Sequence, residues 1–422
     1  MAKIKRIFAR EIINSKAIPT VEATVLLEDG SIGVGSSPTG TSVGKYESVE
    51  LRDQDPNRHL GLGVLNAISN IQKVISPALE GMEAEDLRNI DKTLITLDGT
   101  KNKARLGTNS ILPVSIASAK AQAKSVNNPL YVFLKSFVPS NLTFKIPSPC
   151  FNILNGGLHA GNNLDFQEFM IIPATNKNYE DSLILAATVY QSLRKKLEEK
   201  GASTLIGDEG GFGPTFPNNR EALDMLKESV ESSKFRLNYD VFLGLDAAAS
   251  NFSRNGKYKI KDNQQELNFE ALFNYFDKLS EEYRLLYLED PFSEDDWEGW
   301  SKSSEFKTFS STIVVGDDLT VTNPIRLQMA LDKKAISGII IKPNQIGTII
   351  EAIGVTEMAR QAGIKIVVSH RSGETNDDFI ADFAVAVSAD FVKFGAPARG
   401  ERVSKYNRLL AINNELKSLQ TK

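Results

Sequence analysis

The sequence predicts an α/β protein in two parts: an N-terminal α+β domain over 1–137 and a (β/α)₈ barrel over 138–422. Three observations carry this. At 422 residues the chain exceeds one ordinary hydrophobic core. Between Leu243 and Pro397 short apolar runs recur, each ending on a charged or polar group: GLD at Asp246, LLYLED at Glu289, TIVVGDD at Asp317, GIIIK at Lys342, KIVVSHRS at His370 and Arg371, and a weaker DFVKFG at Lys393. These ends are spaced by about 23 to 43 residues, room for a return helix and its loops. Buried parallel strands read as continuous apolar runs, and such a barrel carries its chemistry where its strands end.

Along the chain, residues 4–14 and 19–28 read as strands, and Asp29-Gly30 followed by SIGVG predicts a hairpin. The small-residue segment SSPTGTSVG (36–44) contains no Gly-Lys-Ser/Thr and so is no P-loop; a mobile lid suits it better. Helical patterns follow at about 61–77 and 108–126, the second with Asn109 or Ser110 as the expected cap. Pro139, Pro147 and Pro149 mark the boundary before the barrel. Asp181 is expected to cap a helix running to Lys200 and closed by Gly201. Asn323 before Pro324 signals the helix after Asp317, and KYNRLLAINNELKSL closes the chain as a helix.

Composition narrows the function. With 41% hydrophobic and 24% charged residues and a net charge of −4, the chain reads as globular and soluble, without a nucleic-acid surface. Its single Cys150 excludes an intrachain disulfide framework and fits a reducing compartment. MAKIKRIFAR lacks an apolar signal region, and no stretch is long enough to span a membrane, so a cytoplasmic protein is the default expectation.

Asp246, Glu289 and Asp317 each end an apolar run. Singly, each would suit the start of a surface loop; their succession at strand ends points to a hard divalent cation, which takes oxygen ligands. Lys342 and Lys393 sit where burial and a neighbouring cation lower a lysine's pKa, the condition for a base near neutral pH; snorkelling to solvent is the plainer role. Of three histidines, His59 has no catalytic context, whereas His159 (NGGLHAGNN) and His370 (SHRSGET) lie in polar segments beside strands. Glu209 lies on the glycine-rich loop GDEGG, Glu168 and Gln167 adjoin a strand in DFQEFMIIP, and Arg371 with Ser372 offers a charged fork and a hydroxyl for phosphate or carboxylate.

Taken together, ARE…S…PTVE, GDEGGF, LEDPFSEDDWEGW, VGDDLTVTNP, NQIGT, SHRSGET and KFGAP…ER…KYN resemble the enolases (phosphopyruvate hydratases) of the bacterial type, in order and over nearly the whole chain. The resemblance implies an enolase-type barrel and reversible Mg²⁺-dependent dehydration of 2-phosphoglycerate to phosphoenolpyruvate. Asp246, Glu289 and Asp317 would hold one Mg²⁺ and Ser42 would help hold a second, with Mn²⁺ as a substitute. Lys342 would be the base at carbon 2, and Glu209, assisted by Glu168, the acid at the departing hydroxyl. His159, Gln167, Arg371, Ser372 and Lys393 would contact substrate, and His370 would line the site. It also implies a homo-oligomer, a dimer or an octamer, with Arg10 and Glu22 near the dimer contact. A secondary cell-surface or secreted presence is compatible with it, with Lys422 as a contact for plasminogen.

Several positions depart from the family pattern: Lys16, Ala17 and Ile18 before Pro19, Thr41 and Val43 in the lid, Gly161 after His159, Asn251 in place of a glutamate, and Pro343 directly after Lys342, where it removes a backbone donor. They motivate a second reading, an enolase-like binding or scaffold protein with weak catalysis. A third, acid-sugar dehydration or racemisation, is opposed by GDEGG and SHRSGET.

Overall fold

The computed structural model describes residues 2–40, 44–139, 142–307 and 310–420. Ser42 lies outside the described residues, as do Thr41 and Val43 of the expected lid and the terminal Lys422.

The N-terminal part is an antiparallel sheet, β1 (Ile4–Ile13), β2 (Pro19–Leu27) and β3 (Ile32–Ser36), covered on one face by helices. Val21, Ala23, Val25 and Leu27 alternate inward along β2 and pack on Ile71, Ile90, Leu94, Ile111 and Val114. The turn before β3 uses Gly30 at φ +87°, as Asp-Gly predicted. Two glycines set how closely helix Thr108–Ser125 approaches the sheet. A Cβ on Gly33 would lie 2.0 Å from the Ala117 carbonyl oxygen, and one on Gly35 2.7 Å from that of Pro113. That helix begins after Gly107 without a side-chain cap; Asn109, the expected cap, instead accepts from Leu51 N at 3.0 Å.

The second part is a closed eight-strand barrel. Its strands are β4 (Ser148–Asn155), β5 (Glu168–Pro173), β6 (Val241–Asp246), β9 (Tyr287–Glu289), β10 (Ile313–Gly316), β11 (Gly338–Ile341), β12 (Lys365–Ser369) and β13 (Phe391–Lys393) in ring order; the two-residue strands β7 (Ser253–Arg254) and β8 (Lys257–Tyr258) form a hairpin outside it. The ladder of apolar runs corresponds to β6 and β9 through β13. The expected barrel is present, with one departure from an all-parallel (β/α)₈ ring: β5 runs antiparallel to both β4 and β6. Only 12 residues lie between Asn155 and Glu168, which permits a hairpin-like reversal and leaves too little chain for a helical crossover.

Period-two alternation divides the barrel strands. Cys150, Met170, Tyr287, Val315, Ile340 and Val367 point inward and fill the barrel. Phe151, Ile171, Leu288, Val314, Ile339 and Val368 point outward under the helices. Helix Tyr179–Glu199 is capped by Asn178, whose Oδ1 accepts from Asp181 N at 2.8 Å, so the expected cap Asp181 is a first-turn residue. Asn323 caps helix Pro324–Asp332 as expected, accepting from Ile325 N at 2.9 Å. Pro343 opens a short 3-10 turn, Pro343–Gln345, where a missing N–H is tolerated, so its position after Lys342 breaks no strand bond.

Candidate active site

The alternation that fills the barrel also builds the site. Two residues beyond an inward apolar side chain, the next inward side chain stands one layer higher, at the mouth. Thus Tyr287 leads to Glu289, Val315 to Asp317, Ile340 to Lys342 and Phe391 to Lys393. Because β5 is reversed, its beginning reaches the same layer, and Met170 leads back to Glu168. Register aligns the row: Glu168 pairs with Asp246, and Asp246 with Glu289.

Three carboxylates in a row need a counter-charge. Lys393 Nζ supplies it, 2.7 Å from Glu289 Oε1, 3.1 Å from Asp246 Oδ2 and 3.2 Å from Glu168 Oε2. Burial favours its neutral amine, but Asp246, Glu168 and Glu289 outweigh that and hold it protonated well above the usual lysine range. Glu289 is fully buried; burial and Asp246 push its carboxyl up to about 8, against the pull of Lys393.

Beside this row, Glu289, Asp290 and Asp317 each present an oxygen, the three within 4.8 Å of one another. Both Asp290 oxygens are engaged, accepting from Asp317 N at 3.1 Å and Asp318 N at 2.7 Å. Asp290 therefore orients Asp317 through the backbone. Asp317 Oδ1 is buried and has no hydrogen-bond partner. Glu289 and Asp317, with Asp290 beside them, thus bring hard oxygen donors together around an unspent acceptor, which fits a divalent cation, while the expected third ligand Asp246 stands next to Glu289 in register but is not part of this cluster. Lys342 pairs with the other Asp317 oxygen. Here the sequence expectation of a lowered lysine pKa is reversed: burial does act downward, but the Asp317 carboxylate prevails and raises it.

A second group faces them. His159 Nδ1 stands 3.7 Å from Glu168 Oε1 and 3.6 Å from Glu209 Oε1. Burial, with Glu209 close by, holds the Glu168 carboxyl well above its usual range. Burial acts the same way on Glu209, but His370, His159 and Arg402 draw it well below. Gln167 Nε2 reaches Asp246 Oδ2 at 3.4 Å, and its Oε1 accepts from Asn251 at 3.3 Å, so the departure at Asn251 touches the site.

Arg371 closes the ring. Its fork meets Glu47 through Nη1–Oε2 at 2.7 Å and Nη2–Oε1 at 3.3 Å, both side chains buried. Glu47 Oε1 also accepts from Gly44 N at 2.9 Å, at the far end of the lid segment. At the near end, Thr39 and Gly373 exchange backbone hydrogen bonds, and a Cβ on Gly40 would lie 1.8 Å from Arg371 Nη2. Both ends of the lid segment are therefore anchored around Arg371. Lys16, where the family pattern has arginine, pairs with Asp208 beside Glu209. Ala17, where the pattern has glycine, is left in the left-handed region at φ 57°, whereas Gly161 at φ 67° suits it.

His159, Gln167, Glu168, Glu209, Asp246, Asp317, Lys342, His370, Arg371, Ser372 and Lys393 line one polar cavity, and Glu289 pairs in register with Asp246 of that lining. Sequence reasoning missed Glu47, Asp290 and Arg402. A second acid directly after Glu289 was a visible signal for Asp290; nothing local marked the other two. The family models for the enolase N-terminal domain and the enolase C-terminal TIM barrel domain match residues 4–134 and 143–421. This chain belongs to the enolase family. For an enolase, the acidic cluster at the mouth is where a metal could be held. Among the described residues no helix is long and apolar enough to cross a membrane.

Proposed function

We propose that this enolase-family chain catalyses the reversible dehydration of 2-phosphoglycerate to phosphoenolpyruvate with Mg²⁺. One observation carries the reading: a lysine and a pair of carboxyl groups stand on opposite walls of one buried cavity. Lys342 follows β11 and Glu168 opens β5, four places apart in the eight-strand ring. Elimination needs a base on one side of the substrate and an acid on the other.

In this reading Arg371 and Ser372 take the phosphate, which orients carbon 2 toward Lys342. Lys342 Nζ accepts the carbon-2 proton, and the electron pair moves into the substrate carboxylate. The carbon 3–oxygen bond then breaks, and the leaving hydroxyl receives a proton from the Glu209–Glu168 pair and departs as water. Lys393 offers positive charge to the developing anion. When bound by Asp246, Glu289 and Asp317, with Ser42 at a second site, the metal would stabilise the substrate carboxylate and offset the Asp317 charge that keeps Lys342 protonated. The scaffold reading has no observation in its favour.

The test is the ultraviolet absorbance of the product double bond when purified protein meets 2-phosphoglycerate and millimolar Mg²⁺; absence of signal sinks the reading. Lys342→Ala abolishes exchange of the carbon-2 proton, whereas Glu209→Gln slows hydroxide loss and leaves exchange measurable. We further propose at least a dimer: Phe8, Ile13, Ile32 and Val34 are exposed on the N-terminal sheet, near the Arg10–Glu22 cross-strand pair at 2.6 Å.

A further inference from the structure

Arg402 lies near the start of helix Gly400–Gln420 and is fully buried. Its guanidinium donates to three backbone carbonyls around the mouth, Ser372 O at 2.5 Å, Arg371 O at 2.6 Å and Asp208 O at 3.1 Å. Nη1 also meets His370 Nδ1 at 2.8 Å. A guanidinium has only donors and keeps its proton at every accessible pH. The nitrogen it meets must therefore accept, so His370 Nδ1 carries no proton. The ring's single proton is then on Nε2, which stands 3.2 Å from Glu209 Oε2. Glu209, Arg402 and Glu374 are the charged groups acting on this ring, and burial among them pushes His370 down to about 4. The imidazole is neutral at neutral pH.

We infer that Arg402 is a positioning residue that fixes His370 as its Nε2–H tautomer, so that a neutral ring stands beside the Glu209 carboxylate. The consequence is a division of labour between the two Glu209 oxygens. Oε2 lies 3.2 Å from His370 Nε2 and accepts from Asn152 Nδ2 at 3.1 Å. An oxygen that already accepts a hydrogen bond is a poor place for a proton. Oε1, on the His159 side, is the atom that takes up and releases it.

The chain has only three histidines, so histidine-selective ¹⁵N NMR on the intact protein reads the tautomer directly, with His370→Asn to assign the ring. The expected spectrum at neutral pH shows a bare, accepting Nδ1 and a single proton on Nε2. A proton on Nδ1 would overturn the inference, whether or not the protein is a hydratase. Arg402→Met removes the donor: His370 then gains Nδ1–H or imidazolium population. Resting on the hydratase reading, the kinetic arm expects kcat to fall by about 10²-fold with little change in KM. A folded R402M protein with unchanged His370 signals and unchanged kcat refutes the assignment. Should R402M fail to fold, the wild-type spectrum alone decides.

Discussion

Asp91 offers a quantitative test of how the two parts of this enolase are joined. It lies on helix Leu87–Asp98 of the N-terminal part and is completely buried, with Oδ2 accepting from Ile350 N at 2.9 Å in the first turn of the barrel helix Ile349–Gln361. Oδ1 has no hydrogen-bond partner. Burial pushes the carboxyl from 3.8 up to about 7, with the Ile350 N–H acting against it. The folded-state value is above the unfolded one, so the contribution to stability is fully present below about pH 4 and is lost as pH rises through 7. The shift corresponds to about 4 kcal/mol for a fully buried group. Asp91→Asn keeps an acceptor for Ile350 and cannot ionise. We expect it to match wild type near pH 4 and to exceed it progressively up to about pH 8, by a few kcal/mol. Urea unfolding midpoints of both proteins at a series of pH values, at fixed protein and Mg²⁺ concentration, provide the assay. A difference that stays flat or shrinks with rising pH refutes the placement of a buried, ionisable Asp91 at this junction.

Three further outcomes are expected. Ala17→Gly relieves a left-handed φ of 57° and stabilises the protein by about 1 kcal/mol, read as a raised unfolding midpoint. Glu47→Gln leaves the buried Arg371 guanidinium without its paired charge, costs about 3 kcal/mol of stability and raises KM for 2-phosphoglycerate; inorganic phosphate then raises the melting temperature more in the variant than in wild type. Mg²⁺ at a hundredfold excess over its Kd stabilises the protein by about 2.7 kcal/mol, a chelator reverses this, and Asp317→Asn weakens the response.

Most of the site was legible because its signal is local. A buried strand declares itself by an apolar run, and the first charged residue past its end is held at the barrel mouth by strand direction. Asp317, Lys342 and Lys393 needed nothing more, and Glu289 needed only the pleat. Glu168 was different. Its run reads the same in either direction, and only the antiparallel pairing of β5 places its first residue, rather than its last, at the mouth. Cap residues failed where a neighbour competed: Asn109 was drawn away by Leu51, and Asn178 stood closer to the first turn than Asp181.

The sequence by itself determined the strand ladder, the acidic and basic groups at its rungs and the family resemblance, because each depends on neighbours within a few residues. Tertiary structure alone decided which charges meet. Glu47 and Arg371 are separated by 324 positions and share a bidentate contact. Lys393 is brought into a cage of three carboxylates by barrel closure and register. Arg402 reaches His370 because the final helix begins beside the mouth. The protonation of Lys342, Glu168 and Glu209 follows from these encounters, since buried charges are governed by the groups within a few ångströms of them, and no local pattern records which groups those will be.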